Sequence, residues 1–276
     1  MDINKPRLTY YDISPCAVAF STTRHGGCSQ GPHATFNINR YCGDTEQCVS
    51  QNRKRLADIL GIDEKRIVVP HQTHGTQIRL IANDFFELPD NVRDMILDGV
   101  DAVMTSESDV CIGVSTADCI PVVIYDSEHH AACVVHAGWR GTVARIVMKA
   151  VGAMSDAFHS RPQCLKAVIG PGISLDCFEV GDEVYREFAS AGFDMARIAR
   201  RYEASGGAGG HEKWHIDLCE CNRLQLIGVG VDDENIFMSG ICTYKNVDDY
   251  FSARRLSVNS GRIYTGVVLR PLPVKE

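Results

Sequence analysis

Two runs near the middle of the chain, Ile120 to Tyr125 (IPVVIY) and Ala131 to Val135 (AACVV), are apolar without a break. Runs this short are typical of strands, and a strand with one face in water would alternate apolar with polar residues. Uninterrupted ones predict strands covered on both faces. Further strand-like segments cover Ala17 to Thr22, Ile67 to Val69, Gln77 to Ile81, Val110 to Ser115, Ala167 to Ile169, Ile236 to Cys242 and Ile263 to Leu269.

Helical patterns lie between them. Asp44 with Gln47 three residues on reads as a capping box, Val49, Leu56, Ile59 and Leu60 give the apolar stripe, and Gly61 lies past the end. Thr142 is the expected cap of a second helix through Val143, Ile146, Val147 and Ala150. Asp182 and Asp217 begin two more, the latter closed by Gly228. The glycine-rich stretch 204–210 (ASGGAGG) reads as a mobile loop, and no low-complexity linker or repeat divides the chain. The expectation is one α/β domain over residues 1–276.

The net charge of −7 argues against nucleic acid as the main partner, because that binding relies on clustered Lys and Arg. No apolar run approaches the roughly 18 residues that span a bilayer. The N-terminus, MDINKPRLTYYDISP, lacks a secretory pattern, so a cytoplasmic location is expected. The twelve cysteines include no C-x-x-C pair and are then free thiols, among which one beside a histidine is a metal ligand or a nucleophile.

Such a grouping exists: His71, His74, Cys111, Cys119, His129, His130, Cys133 and His136 crowd into less than a quarter of the chain. In HQTH, bracketed by Pro70 and Gly75, the chain is extended, so only one of His71 and His74 can face a shared site. Cys119 stands at a strand start before Pro121, and His136 ends AACVV and opens AGWRGT towards a helix. Two His and a Cys give a three-donor set that leaves zinc an open position.

The motifs HQTHG, DAVMT, ADCIPV, HAGWRGT, IGPGIS with FEVGDEV, and FSARR followed by SGR resemble, in this order, the YfiH or laccase-domain family, also called multicopper polyphenol oxidoreductase or purine nucleoside phosphorylase family. The resemblance implies a sheet-sandwich core flanked by helices and a zinc site of His74, Cys119 and His136. It implies phosphorolysis of adenosine, inosine and methylthioadenosine, with adenosine deamination, or laccase-like oxidation of polyphenols. Arg53 matches a basic position suited to phosphate, and Arg24 and Arg140 are further candidates because guanidinium groups bind phosphate bidentately.

Deamination needs a water activated near neutral pH, which zinc supplies, and a proton shuttle, for which Asp118 beside Cys119 is the candidate. Two other readings follow from the same residues. His₂Cys is also the donor set of a copper centre, and a Cys119–His136 pair without metal is a nucleophilic hydrolase. The expected partners are purine nucleosides and phosphate, with neither nucleic acid nor membrane.

Overall fold

The two uninterrupted apolar runs are neighbouring antiparallel strands, β7 (Ile120–Asp126) and β8 (Ala131–Ala137), buried along their whole length. They occupy the middle of a six-stranded sheet in the order β13 (Ile236–Met238), β9 (Leu165–Ile169), β7, β8, β5 (Val100–Thr105), β4 (Gln77–Leu80). A five-stranded sheet stacks on it, in the order β1 (Leu8–Ser14), β2 (Ala17–Thr22), β14 (Ile263–Leu269), β6 (Cys111–Thr116), β3 (Ile67–Val68). The structure, a computed structural model, describes residues 5–203 and 212–273; the glycine-rich stretch 204–210 falls outside the described residues.

Side chains alternate along a strand, and here each set meets its own core. Val123 and Val134 join Ile112, Val114 and Val267 between the two sheets. Ile120, Val122, Ile124, Cys133 and Val135 face the other way. There these side chains pack on α4 (Ile146–Phe158) and α7 (Leu218–Gly228) through Ala150, Met154, Leu218 and Leu226. The outer face of the five-stranded sheet, with Phe20, Tyr264 and Val268, is covered by Leu56, Ala57 and Leu60 of α1 (Glu46–Leu60). The result is a helix, sheet, sheet, helix sandwich. Each fully buried aliphatic or aromatic side chain contributes about 1.5–3 kcal/mol, which is why apolar residues fill most positions of the central strands.

The remaining elements close the ends. They are α2 (Asp90–Leu97), α3 (Trp139–Val143), α5 (Asp182–Ser190), α6 (Met195–Ile198), α8 (Ala253–Leu256) and a small sheet, β10 (Glu179–Val180), β12 (Glu212–Ile216), β11 (Ala199–Glu203). No helix among the described residues is long and apolar enough to cross a membrane.

Several boundaries correct the sequence reading. The cap of α1 is Thr45, whose hydroxyl accepts from the Cys48 amide at 3.4 Å, while Asp44 is drawn away by Ser29 and Asn37. Thr142 caps nothing: it is buried inside α3, which starts after Gly138, and Arg145 in the left-handed region separates α3 from α4. The last strand before β14 stops at Met238, with Cys242 forming an isolated bridge to Gly172. Asp217 does cap α7, accepting from the Glu220 amide at 2.9 Å.

Candidate metal centre

The site forms where the chain passes between the sheets. Cys119 lies in the turn from β6 to β7, His74 in the loop from β3 to β4, and His136 near the end of β8, paired in register with Pro121. The ligand atoms of all three lie within 4.8 Å of one another. The two imidazoles meet edge to face with centroids 4.8 Å apart.

Asp101, at the second position of β5, organises this cluster. Ala102 pairs with Val135, so Asp101 lies alongside His136 and accepts its Nδ1–H at 2.7 Å. The same carboxylate accepts the main-chain N–H of His74 at 3.0 Å and of Gly75 at 2.6 Å. It thereby holds His74 at φ 62°, a left-handed conformation that costs a non-glycine residue about 1 kcal/mol or more. The loop is also pinned by Gln72, whose side-chain amide pairs with both main-chain groups of Ser115 at 2.7 and 2.9 Å. With Nδ1–H committed to Asp101, the Nε2 lone pair of His136 is left for a ligand.

The electrostatics match. Burial alone would raise the Cys119 thiol, but the charge and hydrogen bonds of His136 and His74 outweigh it and bring it down to about 6. Burial alone would lower His136, and the Cys119 and Asp101 charges instead bring it up to about 9. Burial likewise opposes ionisation of Asp101, yet His136 and the loop amides hold it below the usual carboxylate range. A thiolate and two imidazoles at this spacing fit a zinc or copper ion, with a fourth position open.

The cluster opens into a cleft of about 590 Å³, walled by Tyr41, His71, Phe178, Arg254 and Arg262 among others. That volume falls in the roughly 300–1,000 Å³ range of small-molecule sites. His71 reaches the cleft as well as His74, but its Nδ1 pairs with Asp98 at 2.6 Å and its ring stacks on Tyr41. Asp118 lines the cleft at φ 87°, and both its oxygens are engaged, by the Thr243 hydroxyl and the Arg254 amide, each at 2.7 Å.

The three arginines expected to bind phosphate are not brought to this cleft. Arg53 lines a different cavity and donates to the Ile67 carbonyl at 2.8 Å. Arg24 donates to the Ala34 and Val247 carbonyls and covers Phe251. Arg140 is exposed, over the Trp139 ring. The arginines present are Arg254 and Arg262, which lie in the FSARR and SGR motifs without having drawn a role there. Asp101 stands in the DAVMT motif, where its sequence context carries no sign of a role at the site.

Fold and site together define an α/β sandwich protein with a cluster of three donors, spaced as metal ligands are, at the head of a cleft. Residues 18–270 match the family model described as multi-copper polyphenol oxidoreductase laccase. The chain is 44% identical, over 91% of its length and 90% of the relative's, to a purine nucleoside phosphorylase of Bacteroides thetaiotaomicron. It is 41% identical to an adenosine deaminase from an unknown prokaryotic organism, over 90% of this chain and 92% of that one. The crystal structure of YlmD from Geobacillus stearothermophilus superposes with a TM-score of 0.84 at 31% identity, covering 95% of this chain and 94% of that one. The chain belongs to this family of enzymes, the laccase-domain or YfiH group.

Proposed function

We propose that the chain is a zinc-dependent purine nucleoside enzyme. It cleaves adenosine, inosine and methylthioadenosine with phosphate to the free base and the pentose 1-phosphate, and it deaminates adenosine to inosine. The observation that carries this reading is the convergence of His74, Cys119 and His136, with His136 turned by Asp101 so that Nε2 is free. The names of the similar phosphorylase and deaminase support the substrate class.

When bound, zinc supplies Lewis acidity and a water whose pKa is near 7. The chain's own residues do the rest. His74, Cys119 and His136 hold the ion, and Asp101 fixes the His136 tautomer. Phe178 offers flat apolar surface to a purine. Asp118, with both oxygens occupied, serves better to fix the Thr243 and Arg254 segments than to shuttle a proton.

The test is incubation of the purified, metal-analysed protein with adenosine, with and without phosphate, and chromatographic identification of adenine, hypoxanthine and inosine. The expected result is phosphate-dependent adenine release, phosphate-independent inosine, and loss of both metal and turnover in Cys119→Ser. Full activity in metal-free protein would instead favour the Cys119–His136 hydrolase. The copper reading draws on the His₂Cys donor set and the family description. It predicts oxygen uptake on phenols faster than nucleoside turnover, and no methionine stands among the described residues lining the cleft to act as an axial ligand.

A further inference from the structure

We propose that the cleft wall made by Thr116, Arg254 and Arg262 is an oxyanion subsite for a phosphate group, and that its occupant is the orthophosphate consumed in phosphorolysis, an identification that rests on the nucleoside reading above. Four elements of the structure converge on it.

The first is unpaired positive charge. Like several other arginines among the described residues, Arg254 and Arg262 pair with no carboxylate, and these two are the arginines that line the cleft. Asp118 is the only carboxylate among the described residues lining the cleft, and its oxygens are taken. In a chain with a net charge of −7, that makes the cleft a local exception that attracts anions.

The second is preorganisation. The Arg262 guanidinium donates to the Val258 carbonyl at 2.8 Å, to the Gly261 carbonyl at 3.1 Å and to that of Ser260. Five N–H groups are available to a guanidinium, so donors remain for an anion after these bonds are made. Carbonyls hold the group in place without neutralising it.

The third is placement beside the metal donors. The Arg254 amide bonds Asp118, the residue next to Cys119, so α8 is tied to the turn that carries the thiolate, and the Arg254 side chain extends over the Phe178 ring at 5.5 Å. The fourth is an orphaned donor. Thr116, the last residue of β6, lines the cleft and is 1% exposed, and its hydroxyl has no hydrogen-bond partner, while its neighbour Ser115 turns its side chain to the opposite face of the strand. A buried hydroxyl without a partner costs about 1–3 kcal/mol, a penalty that phosphate oxygens would relieve. Arginine forks with hydroxyl donors form a recognition set for phosphate.

The same chemistry would accept the 5′-phosphate of a nucleotide, so the experiment has two arms. Equilibrium dialysis of the metal-loaded full chain measures the affinity for orthophosphate and, separately, for adenosine 5′-monophosphate. The variants are Arg254→Gln, Arg254→Lys and Thr116→Val. Arg254 is exposed and holds Asp118 through its main chain, so its substitution leaves that tie in place. Orthophosphate affinity is expected to fall about tenfold or more in Arg254→Gln and several-fold in Thr116→Val, with Arg254→Lys recovering part. Orthophosphate affinity unchanged in both Arg254→Gln and Thr116→Val, at parental metal content and melting temperature, would overturn the subsite. Tighter binding of the nucleotide, lost in the same variants, would overturn orthophosphate as the occupant. Because dialysis reads the anion alone, orthophosphate binding without nucleoside cleavage refutes the nucleoside reading and not the subsite; cleavage with unaltered phosphate affinity does the reverse.

Discussion

A carboxylate can be buried only if its lone pairs are filled, and Asp101, fully buried, fills them with four donors split between two oxygens. Oδ1 takes His74 N and His136 Nδ1, while Oδ2 takes the Gly75 and Thr73 amides. An asparagine there would offer its NH₂ to one of these donor pairs, whichever way it turned, and so set donor against donor. Asp101→Asn is therefore expected to lower metal affinity about 10- to 100-fold, measured by competition with a chromogenic chelator. Parental affinity in that variant would show that His136 needs no such partner. Asp101 was not found from sequence because an aspartate in an otherwise apolar strand reads as an interruption. The three donors were chosen by motif resemblance, since spacing alone left His71 and His74 as alternatives.

At the scale of elements, the turn from β8 into α3 shows how tightly the chain is drawn around the donors. A Cβ on Gly138 would stand 2.9 Å from the His74 ring, 3.2 Å from Cys119 Sγ and 3.8 Å from His136. Gly138 is thus a glycine for lack of space, its φ of −67° being open to any residue. Gly138→Ala should push the donors apart, so that metal affinity falls by more than the roughly 1–3 kcal/mol that overpacking costs the fold. Comparison of chelator competition with urea denaturation checks this; equal losses in both would contradict it. The strong elements were legible: β7 and β8 from unbroken apolar runs, α7 from its Asp217 cap and Gly228 end. The small sheet was not, because ARRYE and EKWHI carry charges on half of their positions and are held as strands by pairing with each other and with β10. The break between α3 and α4 was hidden because Arg145 takes a left-handed conformation that sequence rarely assigns to arginine.

For the whole molecule, the apolar runs call for cover on both faces and the family resemblance implies the sandwich, but neither carries the order of its strands, because sheet pairing joins residues far apart in the chain. The cleft shares that property: Arg254 and Arg262 reach it from more than a hundred residues beyond Cys119. The topology also gives the metal a structural consequence. β3 and β6 belong to the five-stranded sheet, β4 and β7 to the six-stranded one, so His74 and Cys119 sit on two of the crossings between sheets. His136 adds the central strand β8. An ion on these three donors would fasten the sheets together at one end, and binding to the native state alone stabilises by about 4 kcal/mol when free metal is a thousandfold above its dissociation constant. Chelation is therefore expected to lower the melting temperature and to raise amide exchange in residues 71–76 and 117–119, while α4, packed on the opposite face of the six-stranded sheet, keeps its protection. Hydrogen exchange on loaded and chelated protein decides it. An even rise over the whole chain would mean that the ion supports the fold globally, and no rise at the crossings would mean that Asp101 and Gln72 hold them without it.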